Sequence, residues 1–143
     1  MPGTNRYSAY NPCMRQVAVR WAGGTFAQDI EVAEHRIRSD EEVEKGGEGS
    51  GPTPHELLLA ALGSCTAMTL KVYAERKGWP LRDVNVTIDG GSVDGGYAIN
   101  RQIRLFGELD GEQRQRLIEI ADKCPVHKTL VGDITINTTP GAV

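Results

Sequence analysis

The sequence contains neither a Cys-x-x-Cys pair nor a His-x-x-x-His pair among its three cysteines and three histidines. The first absence argues against a thioredoxin-like oxidoreductase, and the second against a common type of zinc site. Three cysteines are also too few for the disulfide framework of a small secreted protein. We therefore expect the cysteines to serve either thiol chemistry or simple burial as small apolar side chains.

An excess of positive charge, a secretion signal and an apolar run of bilayer length are also missing. Lys and Arg number 16 against 19 Asp and Glu, so the formal net charge is −3 and no basic surface for nucleic acid is expected. The N-terminus lacks the basic-then-apolar pattern of a signal peptide. The uncharged run 57–70 is shorter than the roughly 20 residues of a membrane span. These features predict a cytoplasmic protein without a membrane or nucleic-acid partner.

The length of 143 residues suits one domain with its own hydrophobic core, in which residues 1–12 form a loose arm. Alternating apolar and polar residues predict strands over 16–21, 25–33, 35–39, 82–89, 97–107 and 133–138. Residues 22–24 are predicted to form a turn, and residues 90–96 a loose loop. Helices are predicted over 54–77, 110–123 and about 124–130. Consecutive hairpins with helices between them indicate an α+β fold with mainly antiparallel sheets.

The first helix is predicted to be the buried centre of the fold. Thr53 suits the N-cap, Pro54 the first helical position, and Glu56 completes a capping box, whereas Gly78 ends the helix. Cys65 is expected to face apolar neighbours. A stripe of small residues on another side is expected to pack against a second backbone; it comprises Ala60, Gly63, Ser64 and Ala67. The Gly-rich acidic segment 40–52 before the helix is expected to move or to cover a pocket.

The third helix begins with a second notable cysteine. Pro125 suits the first helical position and places Cys124 at the N-cap. The free amides and partial positive charge of a helix N-terminus favour a thiolate. Residue types alone also allow each cysteine to lack a functional role. Cys124 would then be an unreactive helix cap, Cys65 a buried apolar residue, and Cys13 a residue without a specific role.

Two segments carry a resemblance to a known family. Residues 54–65, Pro-His-Glu-Leu-Leu-Leu-Ala-Ala-Leu-Gly-Ser-Cys, and residues 124–128, Cys-Pro-Val-His-Lys, resemble the cysteine helix and the Cys-Pro turn of the OsmC/Ohr proteins. These are the osmotically inducible and organic hydroperoxide resistance proteins. The motifs are more similar to the OsmC-like branch than to Ohr itself. The order of the elements also agrees over nearly the whole chain.

The resemblance implies antiparallel sheets around a long buried central helix, in an intertwined homodimer with active sites at the subunit interface. It also implies peroxidase chemistry on organic hydroperoxides in oxidative or osmotic stress, with Cys65 as the attacking thiol and Cys124 as the resolving thiol. No bound cofactor is implied. The expected partners are a small hydroperoxide and an external dithiol reductant of the dihydrolipoyl or thioredoxin type.

A thiolate in apolar surroundings requires a positively charged partner. By register, the loop arginine of the family falls at Lys45, and the glutamate that orients this arginine falls at His55. Lysine keeps the charge but lacks the planar fork of arginine. Arg36 and Arg38 are the next candidates. Glu56 completes the candidate set, although its spacing from Cys65 places it on the opposite face of the helix.

Two other functions remain open. The first is a metal site, for which a single Cys-x-x-His spacing is the only signal. Its ligands would be Cys65, Cys124, His127 and His55. A non-catalytic member of the family, which binds a small apolar ligand at the dimer interface, is the stronger alternative to the enzyme.

Overall fold

The computed structural model describes residues 15–142, so the predicted N-terminal arm and Cys13 lie outside the described residues. The chain forms two compact units, Met1–Pro54 and His55–Val143, and each is described by itself. Both contain an antiparallel sheet, and the second contains the long helix, as the predicted α+β class requires.

The N-terminal unit is a three-stranded sheet in the order β1-β2-β3. The strands are β1 (Ala18–Trp21), β2 (Gln28–Val32) and β3 (His35–Ser39), and both pairings are antiparallel. The predicted first hairpin and third strand are therefore confirmed. The turn between β1 and β2 is wider than the predicted residues 22–24, because the amide of Ala22 closes it by donating to the carbonyl of Ala27 at 2.8 Å.

The acidic segment after β3 is held in place by the Asp40 carboxylate. This group accepts hydrogen bonds from the amides of Glu41, Glu48 and Ser50 and from the Ser50 hydroxyl, at 2.7–3.3 Å. The Ser50 hydroxyl is the largest of several hydrogen-bond contributions that lower the pKa of Asp40 from 3.8 to about 2. A short 3₁₀ helix, Val43–Lys45, lies inside the segment. The segment thus has internal structure of its own.

In the C-terminal unit, the long helix α1 spans Pro54–Lys77, and Gly78 follows it with a φ of 67°. The predicted helix is confirmed at both ends, and Gly78 ends it in the left-handed conformation that glycine tolerates best. The proposed capping box of Thr53 and Glu56 stays a prediction.

The second hairpin is longer than the sequence predicted. Strands β4 (Leu81–Val93) and β5 (Gly96–Gly107) pair almost to their tips, so residues 90–96 are not a loose loop. Only Asp94 and Gly95 form the turn, and Gly95 has a φ of 76°. Asp-Gly is a typical two-residue hairpin turn, and the neighbouring glycines concealed this signal.

Two helices complete the unit. Helix α2 spans Gly111–Ala121 and is capped by Asp110, which forms a capping box with Gln113. Helix α3 spans Pro125–Val131. The predicted last strand over 133–138 is wrong, because residues 133–142 adopt no strand. Ile134 and Ile136 alternate as in a strand, but they are 57% and 84% exposed and no strand in the described chain pairs with them.

The core lies between α1, the β4–β5 hairpin and α2. Its buried members are Leu70, Ala74, Leu81, Leu117, Ile120 and Ala121. The prediction of a buried central helix holds for one side only. Of the 24 residues of α1, four are buried, namely Leu62, Thr66, Leu70 and Ala74. They are spaced four residues apart and form one line along the helix.

Helix α1 is long and apolar enough to cross a bilayer by length and composition alone, with a mean hydropathy of 1.5. The prediction above considered only its uncharged run. Of its most apolar 18 residues, 22% are buried within the chain. A core helix of a soluble protein passes the same test, so one such helix is weak evidence for a membrane span.

Candidate functional site

Cys65 lies midway along α1 and is half-buried at the edge of a mainly apolar cavity of about 490 Å³. Met68, Thr69 and Val72 of the same helix line this cavity. Its other lining residues are Tyr73, Arg76, Ile120, Lys123 and Pro125. Arg76 and Lys123 were not predicted from the sequence. Arg76 lies on the same face of α1 as Cys65, whereas nothing in the sequence links Lys123, after the end of α2, to this helix. The cavity therefore has a thiol, two cations and a mainly apolar wall in its lining.

Cys124 is fully buried and occupies the N-cap of α3, as predicted. The amide of His127 donates to the Cys124 sulfur at 3.3 Å. The preceding amide in the chain, that of Val126, donates to the Cys65 sulfur at 3.5 Å. Both cysteines are free thiols. Two consecutive amides of one helical turn thus reach the two sulfurs, which places both thiols against the same short segment.

A third side chain, Thr66, joins this arrangement from the buried line of α1. Its hydroxyl lies 3.7 Å from the Cys124 sulfur and donates to the carbonyl of Leu62 at 2.7 Å. It also accepts a hydrogen bond from Nη1 of Arg101 at 3.0 Å. Thr66 therefore connects the buried thiol to a guanidinium group.

Arg101 projects from β5, and only 12% of its side chain is exposed. Besides Thr66, it donates to the carbonyl of Ala121 at 3.3 Å and to the carboxylate of Asp122 at 2.8 Å, and it lies 3.3 Å from Nδ1 of His127. Because an arginine nitrogen can only donate, Nδ1 of His127 is the acceptor in this contact. One guanidinium group thus links α1, β5 and the segment from α2 to α3.

Arg101 was not among the residues predicted from the sequence, although a signal was present. The inward face of β5 carries Ile99, Ile103 and Leu105, and Arg101 occupies the same face by period-two alternation. A charged residue in such a series is rarely enclosed without partners. The position of Arg101 in the strand therefore indicated a buried charge, but it did not indicate which residues contact that charge.

The cations that were predicted to support the thiolate belong to the N-terminal unit. Lys45 lies 3.2 Å from Glu42, Arg38 lies 2.8 Å from Asp29, and Arg36 lies 3.7 Å from Glu31. Cys65 belongs to the C-terminal unit. The role of these three residues at the thiol therefore stays a prediction.

The two remaining candidates lie near the start of α1. The ring of His55 stacks on Tyr97 with centroids 5.4 Å apart. Glu56 lines a groove of about 390 Å³ along the predicted stripe of small residues, and β4 forms the opposite wall through Val86 and Ile88. This groove shares no lining residue with the Cys65 cavity. Their thiolate-supporting role also stays a prediction.

A further cavity of about 250 Å³ lies beside the Arg101 cluster. Its lining comprises Leu62, Tyr97, Ile99, Arg101, His127, Leu130 and Val131. Leu62, on α1, faces this second cavity and does not line that of Cys65. Within residues 15–142, no group of three or more His, Cys, Asp or Glu side chains is placed to hold a metal ion.

Comparison with known proteins supports the resemblance noted in the sequence. The family model described as OsmC-like protein matches residues 47–139. No curated protein matches the chain. Among solved structures, an OsmC-like protein from Mycoplasma pneumoniae is 18% identical with a TM-score of 0.70, and the match covers 82% of this chain and 87% of that one.

Two similar structures are organic hydroperoxide resistance proteins. The protein from Legionella pneumophila is 18% identical over 87% of this chain and 92% of its own, with a TM-score of 0.65. The protein from Elizabethkingia anophelis is 19% identical over 84% and 91%, respectively, with a TM-score of 0.63. At these identities the structural likeness establishes the fold.

Proposed function

Because this chain belongs to the OsmC-like protein family, we propose that it is a two-cysteine peroxidase that reduces organic hydroperoxides in stress defence. The Cys65 thiolate attacks the terminal oxygen of the hydroperoxide, the O–O bond breaks, and an alcohol leaves after protonation. Cys65 is then a sulfenic acid. Cys124 attacks its sulfur, the S–O bond breaks, and a disulfide and water form. An external dithiol returns both cysteines to thiols.

The observation that carries this proposal is the pair of consecutive α3 amides that donate to the two sulfurs. Hydrogen bonds to a thiolate favour it over the thiol. Both cysteines lie against one helical turn, so a small movement of that turn changes the approach of both sulfurs. Cys65 is the more accessible thiol, and the fully buried Cys124 is protected from direct oxidation. This difference fits the assignment of attacking and resolving roles.

The cavity beside Cys65 supports the choice of substrate. Met68, Val72 and Ile120 give it apolar surface, which favours a lipophilic hydroperoxide over hydrogen peroxide. Lys123 and Arg76 line the same cavity and give it positive charge, to which the predicted contribution of Lys45 would add. The non-catalytic alternative uses the same cavity for an apolar ligand.

The proposed functional unit is a homodimer. The side of α1 that carries Leu58, Met68 and Val72 is 40–66% exposed in the single chain. A helix that is apolar on all sides is normally enclosed. A second copy of the chain provides that enclosure, and sedimentation at micromolar concentration measures it directly.

The decisive experiment measures consumption of cumene hydroperoxide with a dithiol reductant. Wild type, Cys65→Ser, Cys124→Ser and Lys45→Ala are compared, with Cys13→Ser as the matched cysteine control. We expect turnover to be lost in Cys65→Ser, reduced in Lys45→Ala and unchanged in Cys13→Ser. Mapping disulfides after treatment with a slight excess of hydroperoxide is expected to show Cys65 joined to Cys124.

Negligible turnover in wild type and in every variant would refute the peroxidase and leave the ligand-binding alternative. Oxidation confined to Cys13 would have the same meaning. Loss of turnover in Cys65→Ser with full turnover in Lys45→Ala would keep the enzyme and remove Lys45 from its site.

A further inference from the structure

We propose that Arg101 is a positioning residue for Cys124, on which it acts through the hydroxyl group of Thr66. The effect on turnover rests on the proposed function. The contacts that support the inference are those of the protein with both thiols reduced. They join three residues that are distant in sequence. None of these contacts is part of a regular helix or sheet hydrogen-bond ladder.

The hydrogen bonds of Thr66 determine how its hydroxyl meets the sulfur. A hydroxyl has one proton and two acceptor lone pairs. The proton is directed to the carbonyl of Leu62 at 2.7 Å, and Nη1 of Arg101 uses one lone pair at 3.0 Å. The second lone pair is left for Cys124, whose sulfur lies at 3.7 Å. In the resting protein, the Cys124 thiol therefore donates to Thr66.

The guanidinium group changes what happens when Cys124 loses its proton. A thiolate is attracted by the positive charge of Arg101, and this attraction is weakly screened because Thr66 and Cys124 are fully buried. The Thr66 hydroxyl can then rotate from Leu62 towards the sulfur while Arg101 still holds its oxygen. The amide of His127 already donates to the same sulfur. Arg101 thus favours the form of Cys124 that attacks.

The charged and titratable groups around this contact come from several segments. Arg101 faces it from β5, Cys65 immediately precedes Thr66 in α1, and His127 comes from α3. Asp122 pairs with Arg101 but is 66% exposed, so water screens its negative charge more than the enclosed guanidinium. Lys123 is exposed and lines the cavity on the Cys65 side. The enclosed charge next to Thr66 is therefore positive.

In the reaction, this arrangement acts on the resolving step. The thiol proton of Cys124 leaves as its sulfur forms the S–S bond, and it combines with the hydroxide that departs from the Cys65 sulfenic acid. Water is the product, and no further oxidant or reductant is involved. The first step, attack of Cys65 on the hydroperoxide, does not require the Thr66 contact. Loss of Arg101 is thus expected to slow disulfide formation and to let the sulfenic acid accumulate.

The test compares Arg101→Gln with Arg104→Gln on the outward face of the same strand. In a Cys13→Ser, Cys65→Ser background, thiolate absorbance is followed against pH, so Cys124 alone is titrated. We expect the midpoint to rise in Arg101→Gln and to remain unchanged in Arg104→Gln, because only the former removes a cation near the sulfur. Arg101→Lys is expected to restore part of the shift.

The same substitutions are then made in the protein with both functional cysteines. Stopped-flow disulfide formation after one equivalent of cumene hydroperoxide is expected to slow at neutral pH in Arg101→Gln, because less of Cys124 is then the attacking thiolate. A sulfenic-acid trap is expected to capture more Cys65 in this variant. Thr66→Val, with Thr66→Ser as its control, breaks the link without removing the charge and should act in the same direction.

Titration curves and rates of Arg101→Gln that coincide with those of Arg104→Gln would overturn the inference. A uniform slowing of both steps without a shift in midpoint would do so as well, because it indicates a structural role only. If Arg101→Gln does not fold, the Arg101→Lys and Thr66 variants decide by the same criteria. If wild type forms no disulfide with hydroperoxide, the proposed function fails, while the titration still tests Arg101.

Discussion

Helix α1 has apolar side chains on two sides, and residues 15–142 cover only one of them. The covered side is the line from Leu62 to Ala74, which packs on the β4–β5 hairpin and α2. The other side carries Met68 and Val72, which are 66% and 45% exposed. Cys65 lies between these sides, half-buried. The covered side stabilises the subunit, and we propose that the other side is kept for a substrate or a second copy.

The largest effect is expected on the covered side. Leu70→Ala removes a fully buried side chain from the core, and we expect the free energy of unfolding to fall by about 2–5 kcal/mol. Urea denaturation measures this change. Met68→Ala is the matched substitution on the exposed side and is expected to cost much less within one subunit. Equal losses in both variants at low protein concentration would contradict the division into two sides.

The next effect concerns the exposed side and depends on protein concentration. Met68→Glu places a charge where a second subunit is expected to pack, so the variant should dissociate at concentrations at which wild type is dimeric. Sedimentation velocity over a dilution series provides the measurement. Glu75→Gln, an exposed substitution near the end of α1, is the control. A wild-type chain that stays monomeric at micromolar concentration would remove the dimer from the proposal.

The sequence predicted the elements of both sides but not how they are covered. Apolar periodicity, Pro54 and Gly78 located α1, and Pro125 placed Cys124 at a helix start, because these signals are local. Which sides of α1 are buried depends on contacts between residues that are distant in sequence. The sequence therefore did not reveal that only one side is buried, and the whole helix was predicted to be buried. The strand predicted at Ile134 and Ile136 failed for a related reason, since alternation describes a strand but supplies no partner for it.

The candidate site was predicted in the same uneven way. Cys65 and Cys124 were found from their motifs, whereas Arg101 is separated from Thr66 by 35 residues and from His127 by 26. No local pattern links such positions. Lys123 was missed because its place in the Cys65 cavity depends on how α1 packs beside the end of α2. Arg76 lies on α1 itself, three turns after Cys65 on the same face, so helical spacing could have indicated it.

A smaller effect is expected in the groove along the small residues of α1. The nearest atom to a side chain added at Gly63 is the terminal methyl of Ile88, at 3.3 Å, which has room to shift slightly. Gly63→Ala should therefore stabilise an isolated subunit by up to about 1 kcal/mol, because alanine favours a helix more than glycine. Thermal unfolding at low concentration measures this gain. A loss in the dimer alone would show that a second backbone occupies the groove.

The smallest effect is expected in the acidic segment before α1. It tests whether Asp40 holds this segment in place, and it does not depend on either side of α1. The pKa of Asp40 is lowered to about 2, chiefly by the Ser50 hydroxyl. A group with a lowered pKa stabilises the fold above its unfolded pKa, and this contribution is lost as pH falls through the folded value. The segment should therefore keep its structure at pH 5 and loosen between about pH 4 and pH 2.

Hydrogen exchange at the amides of Glu48 and Ser50, which donate to Asp40, measures this loosening. Asp40→Asn should show faster exchange already at neutral pH and little further change in acid, because asparagine carries no charge to lose. Asp83→Asn, at an exposed position in β4, is the control and should leave these amides as they are in wild type. Wild-type exchange that is independent of pH across this window, after correction for intrinsic rates, would show that the carboxylate does not hold the segment.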